Sequence, residues 1–196
     1  MIKYLNYLLC LVAIIFSVYL VITRDNQIGL VLKDLSIIFT ITSPFIIEKV
    51  FNIKMDNKMK FVIILFIFVA HFLGATAEVY NKISWYDKFV HTLSGCLTAY
   101  LSLFLLFLLN KYNSYDRKYN VIFMIMFSLA IAASWEMFEY TANILFGGDA
   151  QRVALTGVND TMQDIIVAFL GSILVSILYA FNYKNSIFDF STSIKK

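Results

Sequence analysis

The stretch FVIILFIFVA at residues 61–70 decides the fold class, because none of its ten positions carries a polar side chain. A strand of a membrane barrel would alternate apolar and polar residues. A membrane-spanning helix instead needs about 20 mostly apolar residues in a row. The window around this stretch, residues 60–80, meets that second requirement. We therefore predict an all-α integral membrane protein.

The overall composition agrees with a membrane protein. Of the 196 residues, 60% are hydrophobic and 15% are charged, whereas soluble domains average about 45–50% apolar and about 25% charged residues. This excludes a soluble globular domain and a disordered chain. The net charge of +3 is small and scattered, so nucleic-acid binding is not expected. Cys10 and Cys96 lie in apolar runs and indicate neither a disulfide nor a metal pair.

Five further windows are also mostly apolar over the length of a span. Together they predict one polytopic domain over residues 1–196, a single bundle of about six transmembrane helices at residues 4–23, 28–49, 60–80, 86–110, 119–145 and 160–181. The second window is the least apolar, since Lys33 and Asp34 lie near its start and Pro44 lies near its end.

The basic residues set the predicted orientation. With six spans, both termini share a side with the connections after the second and fourth spans, and that side carries eleven of the 16 Lys and Arg residues. Positively charged loops stay in the cytoplasm. We therefore expect a multi-pass membrane protein with both termini in the cytoplasm. The connections after the first, third and fifth spans then face outward.

Small residues at four-residue spacing predict close packing of the last three spans. They are Gly95 and Ala99 on the fourth span, Ala130 and Ser134 on the fifth, and Ala168, Ser172 and Ser176 on the sixth. Such positions let membrane helices approach each other closely.

Ionisable side chains inside apolar spans cost energy, so each is a candidate for function. Three spans carry such residues in pairs three or four positions apart: Asp87 with His91, Glu136 with Glu139, and Asp160 with Asp164. This spacing places both members of a pair on one helix face. In the predicted topology all three pairs lie toward the outer surface. We therefore expect Asp87, His91, Glu136, Glu139 and Asp164 to form one pocket in the outer half of the bundle. His71 lies deeper, and a helix-packing role is expected for it.

Four segments carry a resemblance to known proteins: HFLGATAEVY at 71–80, WYDKFVHTLSG at 85–95, SWEMFEYT at 134–141 and DTMQDIIVAFLGS at 160–172. They resemble the YjdF-like family of bacterial inner-membrane proteins of unknown function. More distantly, the order of Asp87-Lys88 and His91, an acidic pair, and Arg152 before Asp164 is similar to the VanZ-like family, which is linked to teicoplanin resistance. These resemblances imply an envelope membrane protein and no settled reaction.

The polar pairs suggest an enzyme that acts on a lipid or prenyl-phosphate headgroup. Carboxylates and imidazoles on facing helices build metal sites in bundle cores, so a divalent metal ion is a candidate cofactor. Its expected ligands are Asp87, His91, Glu136 and Asp164. The candidate catalytic residues are these four and Glu139, with His91 as the general base. Arg152 and Asp160 would bind the anionic group of the substrate.

Other interpretations use the same residues. The pairs could form a hydrogen-bonded network that fixes the helix register. The protein could also be a non-enzymatic envelope binding or resistance protein, or a small-solute or proton-coupled transporter. A transporter would need polar residues to continue through the membrane. Under each interpretation the lipid bilayer is a partner. An anionic lipid or envelope precursor is a candidate ligand of the enzyme or of the binding protein.

Overall fold

The computed structural model describes residues 1–23, 28–113, 116–147, 151, 156–182, 186–188 and 190. Within these ranges the chain forms helices and no strand, which confirms the predicted all-α class. The chain divides into two compact units, Met1–Tyr86 and Asp87–Phe190.

The first unit contains four helices and one π-helical segment. They are α1 (Ile2–Thr23), α2 (Ile28–Val50), α3 (Asn57–Ile67), the π-helix Phe68–Thr76 that continues α3 directly, and α4 (Val79–Lys82). The start of α3 is fixed by Asp56, whose carboxylate accepts a hydrogen bond from the Met59 backbone N–H at 2.7 Å. The core of this unit consists of Cys10, Ala13, Ile37, Ile41, Ile64 and Phe72.

The second unit is built on three long helices. They are α5 (Tyr86–Leu108), whose first residue belongs to the first unit, α6 (Arg117–Phe146) and α7 (Asn159–Asn182), and a short 3-10 turn follows at Ser186–Phe188. The helices α5 and α7 touch through their backbones. A Cβ added at Gly95 would meet the backbone carbonyl of Ala168, and one added at Gly171 would meet the carbonyl of Thr92. Glycine is required at both positions because this approach leaves no room for a side chain.

Five helical segments of the described chain are long and apolar enough to cross a membrane: Ile2–Thr23, Asn57–Thr76, Tyr86–Leu108, Arg117–Leu145 and Asn159–Asn182. They coincide with five of the six predicted windows, which supports a multi-pass membrane protein. The remaining window, the second in the chain at residues 28–49, forms α2, which does not meet the same criterion. The crossing of the membrane by α2 stays a prediction.

The expected small-residue contacts hold for α5 and α7 but not for α6. Ala130 and Ser134 are exposed, so the prediction that they mediate close packing is wrong. The buried face of α6 instead repeats every four residues, at Asn120, Met124, Ser128, Ala132 and Glu136. Ser128 donates a hydrogen bond to the backbone carbonyl of Gly95 at 3.2 Å. A polar residue therefore makes the close contact between α6 and α5.

Candidate functional site

A cluster of charged side chains lies where α5 and α7 begin. Asp87 and Lys88 lie in the first turn of α5, and Asp160 opens α7. The ammonium of Lys88 is 2.6 Å from Asp160 Oδ1, 2.8 and 2.9 Å from the two carboxylate oxygens of Asp164, and 3.5 Å from Asp87 Oδ2. Three carboxylates therefore surround one ammonium.

His91 completes this cluster one helical turn after Asp87. Its Nε2 atom lies 3.7 Å from Asp87 Oδ1 and 3.9 Å from Asp164 Oδ1. One ligand atom from each of Asp87, His91 and Asp164 lies within 4.8 Å of the other two. We call these three residues the cradle. Their side chains are the kind that holds a divalent metal ion.

The acids around the cradle outnumber their basic partners. Asp160 and Asp164 are only 6% and 4% exposed. Among the residues that the structure describes, Asp160 Oδ2 has no hydrogen-bond partner, although the other oxygen of the same carboxylate contacts Lys88. A buried carboxylate oxygen is costly without a partner. Among the described residues, the cluster therefore has more carboxylates than ammonium groups and one unused ligand atom.

Glu136 and Glu139 lie near the cradle but are not part of it. Gln151 Nε2 donates to the backbone carbonyl of Glu136 at 3.0 Å and to its Oε2 at 3.2 Å. The other oxygen, Oε1, is buried without a partner in the described chain. The Glu139 carboxylate accepts a hydrogen bond from Trp135 Nε1 at 2.8 Å. It also interacts electrostatically with the carboxylates of Glu136, Asp87 and Asp164.

Two residues of this region have no role predicted from the sequence. Lys88 is the central partner of the acids, and Gln151 holds Glu136 from the connection that follows α6. The position of Lys88 between Asp87 and His91 at the start of a span is a usable signal, whereas nothing in the sequence distinguishes Gln151. Arg152, the expected anion-binding residue, lies outside the described residues.

Comparison with known families gives a match over residues 4–185 to the family described as "Predicted membrane protein (DUF2238)". The chain belongs to this family. A relative from Thermotoga maritima, described as an uncharacterised protein, is 27% identical over 132 residues, which cover 66% of this chain and 65% of the relative. The match thus spans slightly less than two thirds of the relative's length. No solved structure matches the chain.

The family match confirms the expected membership of a family of bacterial membrane proteins. The similarity to VanZ-like proteins stays a prediction. Because neither description names a reaction or a ligand, the chemistry of this family member has to be argued from its own side chains.

The other histidine of the chain, His71, lies in the first unit. His71 lies in the π-helix, and its Nδ1 and Nε2 atoms lie 2.9 Å from Thr40 Oγ1 and 3.1 Å from Ser36 Oγ. Both ring nitrogens thus have hydroxyl partners on α2. These contacts are those of a histidine that packs two helices together.

Proposed function

We propose that the protein binds a divalent cation in the cradle and uses it to hold the phosphate of a lipid or prenyl-phosphate headgroup. The observation that carries this proposal is the convergence of Asp87, His91 and Asp164, which offer three ligand atoms within 4.8 Å of one another. The Oδ2 atom of Asp160, which has no partner among the described residues, supports it, because a buried free carboxylate oxygen needs a cation or a donor.

The spacing of the cradle suits a small ion. Zinc lies about 2.0–2.2 Å from imidazole nitrogen and carboxylate oxygen, so ligand atoms around a tetrahedral zinc are about 3.4 Å apart. The separations of 3.7 and 3.9 Å between His91 Nε2 and the two carboxylate oxygens are slightly longer. Small side-chain rotations would close the cradle around zinc or manganese. Mixed imidazole and carboxylate ligands suit both metals.

Held by Asp87, His91 and Asp164, such a cation would supply two kinds of chemistry. It would neutralise a phosphate oxygen, and it would make a nearby water easier to deprotonate. In this proposal His91 is a ligand, so the proton acceptor is a nearby carboxylate. Glu139 is the candidate, since its carboxylate lies outside the cradle and its charge is repelled by those of Asp87 and Asp164.

The first test is the metal content of the purified protein. After dialysis against Zn²⁺ or Mn²⁺ in detergent, we expect one ion per wild-type chain and a loss of at least tenfold in affinity for His91→Ala. His71→Ala is the matched control, because it removes the other histidine, whose partners are hydroxyl groups. Equal metal content in the wild type and His91→Ala would refute the cation site.

The proposal also places the site on the outer side of the cytoplasmic membrane, on the basis of the charge distribution. In a background without Cys10 and Cys96, a cysteine at Lys82 is expected to react with a membrane-impermeant thiol reagent in intact cells. A cysteine at Lys54 is expected to react only after permeabilisation. Both positions are exposed. The reverse labelling pattern would reverse the orientation.

A second candidate function, transport, has one supporting observation. Polar side chains continue inside the second unit away from the cradle: Thr98 and Ser128 in contact at 2.7 Å, Ser176, and Asn120 with Tyr179 at 2.7 Å. Ser176 Oγ and Asn120 Oδ1 are buried and have no partner in the described chain. Cation flux into proteoliposomes that is abolished by Ser128→Ala would favour transport over a one-sided site.

A further inference from the structure

Lys88 and a metal ion would use the same carboxylate. Asp164 Oδ1 accepts a hydrogen bond from the Lys88 ammonium at 2.8 Å. The same oxygen faces His91 Nε2 at 3.9 Å. An ion bonded to this oxygen at about 2.1 Å would lie within about 5 Å of the ammonium nitrogen. The two cations would therefore repel each other strongly in a site where water is scarce.

We propose that Lys88 is a built-in occupant of the cation site, which a divalent ion must displace from Asp164 and Asp160. This inference rests on the proposed cation site and adds the way in which its occupancy is controlled. While the ion is absent, the lysine neutralises part of the negative charge of the acids. Its competition raises the ion concentration that is needed to fill the site.

Displacement of Lys88 would free one more ligand for the ion, the Asp160 carboxylate. Its Oδ1 atom is held by Lys88 at 2.6 Å, while its buried Oδ2 has no partner in the described part of the chain. When Lys88 leaves, both oxygens become available beside Asp164, one helical turn further along α7. Asp160 is then the fourth ligand that the three-residue cradle lacks.

The position of Lys88 allows this movement. The residue lies in the first turn of α5, and its side chain is 23% exposed. A lysine near the end of a membrane helix can extend its ammonium into water while its methylene stem stays against apolar surface. Displacement therefore moves the ammonium toward the membrane surface, where water can solvate it.

The first experiment compares the affinity for Mn²⁺ of the purified full-length wild type and Lys88→Met. We expect the variant to bind Mn²⁺ at least tenfold more tightly, because the competing ammonium is gone. Lys60→Met is the matched control. Lys60 forms an ion pair with Glu48 at 3.0 Å and has a side-chain exposure of 12%, so its loss should leave the Mn²⁺ affinity unchanged.

The second experiment needs no substitution and stands even if Lys88→Met does not fold. Wild-type protein is treated with an amine-acylating reagent with and without Mn²⁺, and the modified lysines are located by mass spectrometry. We expect Mn²⁺ to increase the modification of Lys88 several-fold and to leave that of Lys60 unchanged.

The outcomes separate the two proposals. Mn²⁺ binding of equal affinity in the wild type and Lys88→Met, or unchanged modification of Lys88 when Mn²⁺ is bound, would overturn the competition and leave the cation site standing. A complete absence of Mn²⁺ binding to both proteins would overturn the cation site and the competition together.

Discussion

Replacement of Gly95 with alanine is expected to prevent α5 from packing on α7 and to leave little folded protein in the membrane. The new Cβ would meet the backbone carbonyl of Ala168, and no side-chain rotation can relieve a contact with backbone. Overpacking costs about 1–3 kcal/mol, and more where a backbone must move, which is a large part of a typical stability of about 5–15 kcal/mol. The measurement is the yield of monodisperse protein in detergent and its melting temperature.

Two variants serve as controls for this effect. Ala130→Val adds volume on the exposed face of α6 and should change neither yield nor melting temperature. Gly74→Ala would bring its Cβ against the ring of Tyr80, which can turn away, so a smaller loss is expected. If Gly95→Ala proved as stable as Ala130→Val, the close approach of α5 and α7 would be wrong.

Substitution of Asp164 by asparagine is expected to abolish the stabilisation of the protein by divalent cations. A ligand that binds only the folded state stabilises it by about 2.7 kcal/mol at 100 times its Kd. For the wild type this corresponds to an increase of several degrees in melting temperature on addition of Mn²⁺. The amide of the Asp164→Asn variant would keep the shape of the carboxylate but lose the charge that binds the ion.

Glu139→Gln is the matched control, because its amide oxygen can still accept the hydrogen bond from Trp135 and the residue lies outside the cradle. It should retain the full effect of Mn²⁺. A Mn²⁺ effect of the same size in Asp164→Asn and the wild type would show that the ion acts elsewhere. Loss of the effect in Glu139→Gln alone would move the site to the Glu136 and Glu139 pair.

The fold class could be predicted from the sequence because lipid imposes a simple rule. A backbone in hydrocarbon must satisfy its hydrogen bonds within one helix or around a closed barrel. A run such as residues 61–70 lacks the alternation of a barrel strand, so it is expected to be a helix. The rule says less about a window with charges. The structure forms a helix at Ile28–Val50. Because this helix carries the charges of Lys33 and Asp34, its crossing of the membrane stays a prediction.

The candidate site is predictable only in part. Spacing along one helix shows that Asp87 and His91 share a face, and the same holds for Asp160 and Asp164. Spacing does not show how one helix is rotated against another. For this reason the pattern of small residues points to Ala130 and Ser134 for a contact that Ser128 makes.

The rotation of one helix against another also decides which residues form the cradle. The sequence groups Glu136 with the metal ligands, although its carboxylate is held by Gln151. Lys88 is adjacent to Asp87 in the sequence, but its partners on α7 could not be predicted, because they are more than 70 positions away in the chain. Contacts of that range depend on the packing of helices, which the local pattern does not encode.

The parallel course of α5 and α7 has an electrostatic consequence. Lys88 meets Asp160 and Asp164 near the start of both helices, and Gly95 meets Ala168 further along both. Two helix N-termini thus face the same carboxylates, each with a dipole equivalent to about half a positive charge. These two partial positive charges offset much of the negative charge that one lysine leaves unneutralised. If a metal replaced the lysine, as proposed above, the same dipoles would favour a negatively charged group as its next neighbour.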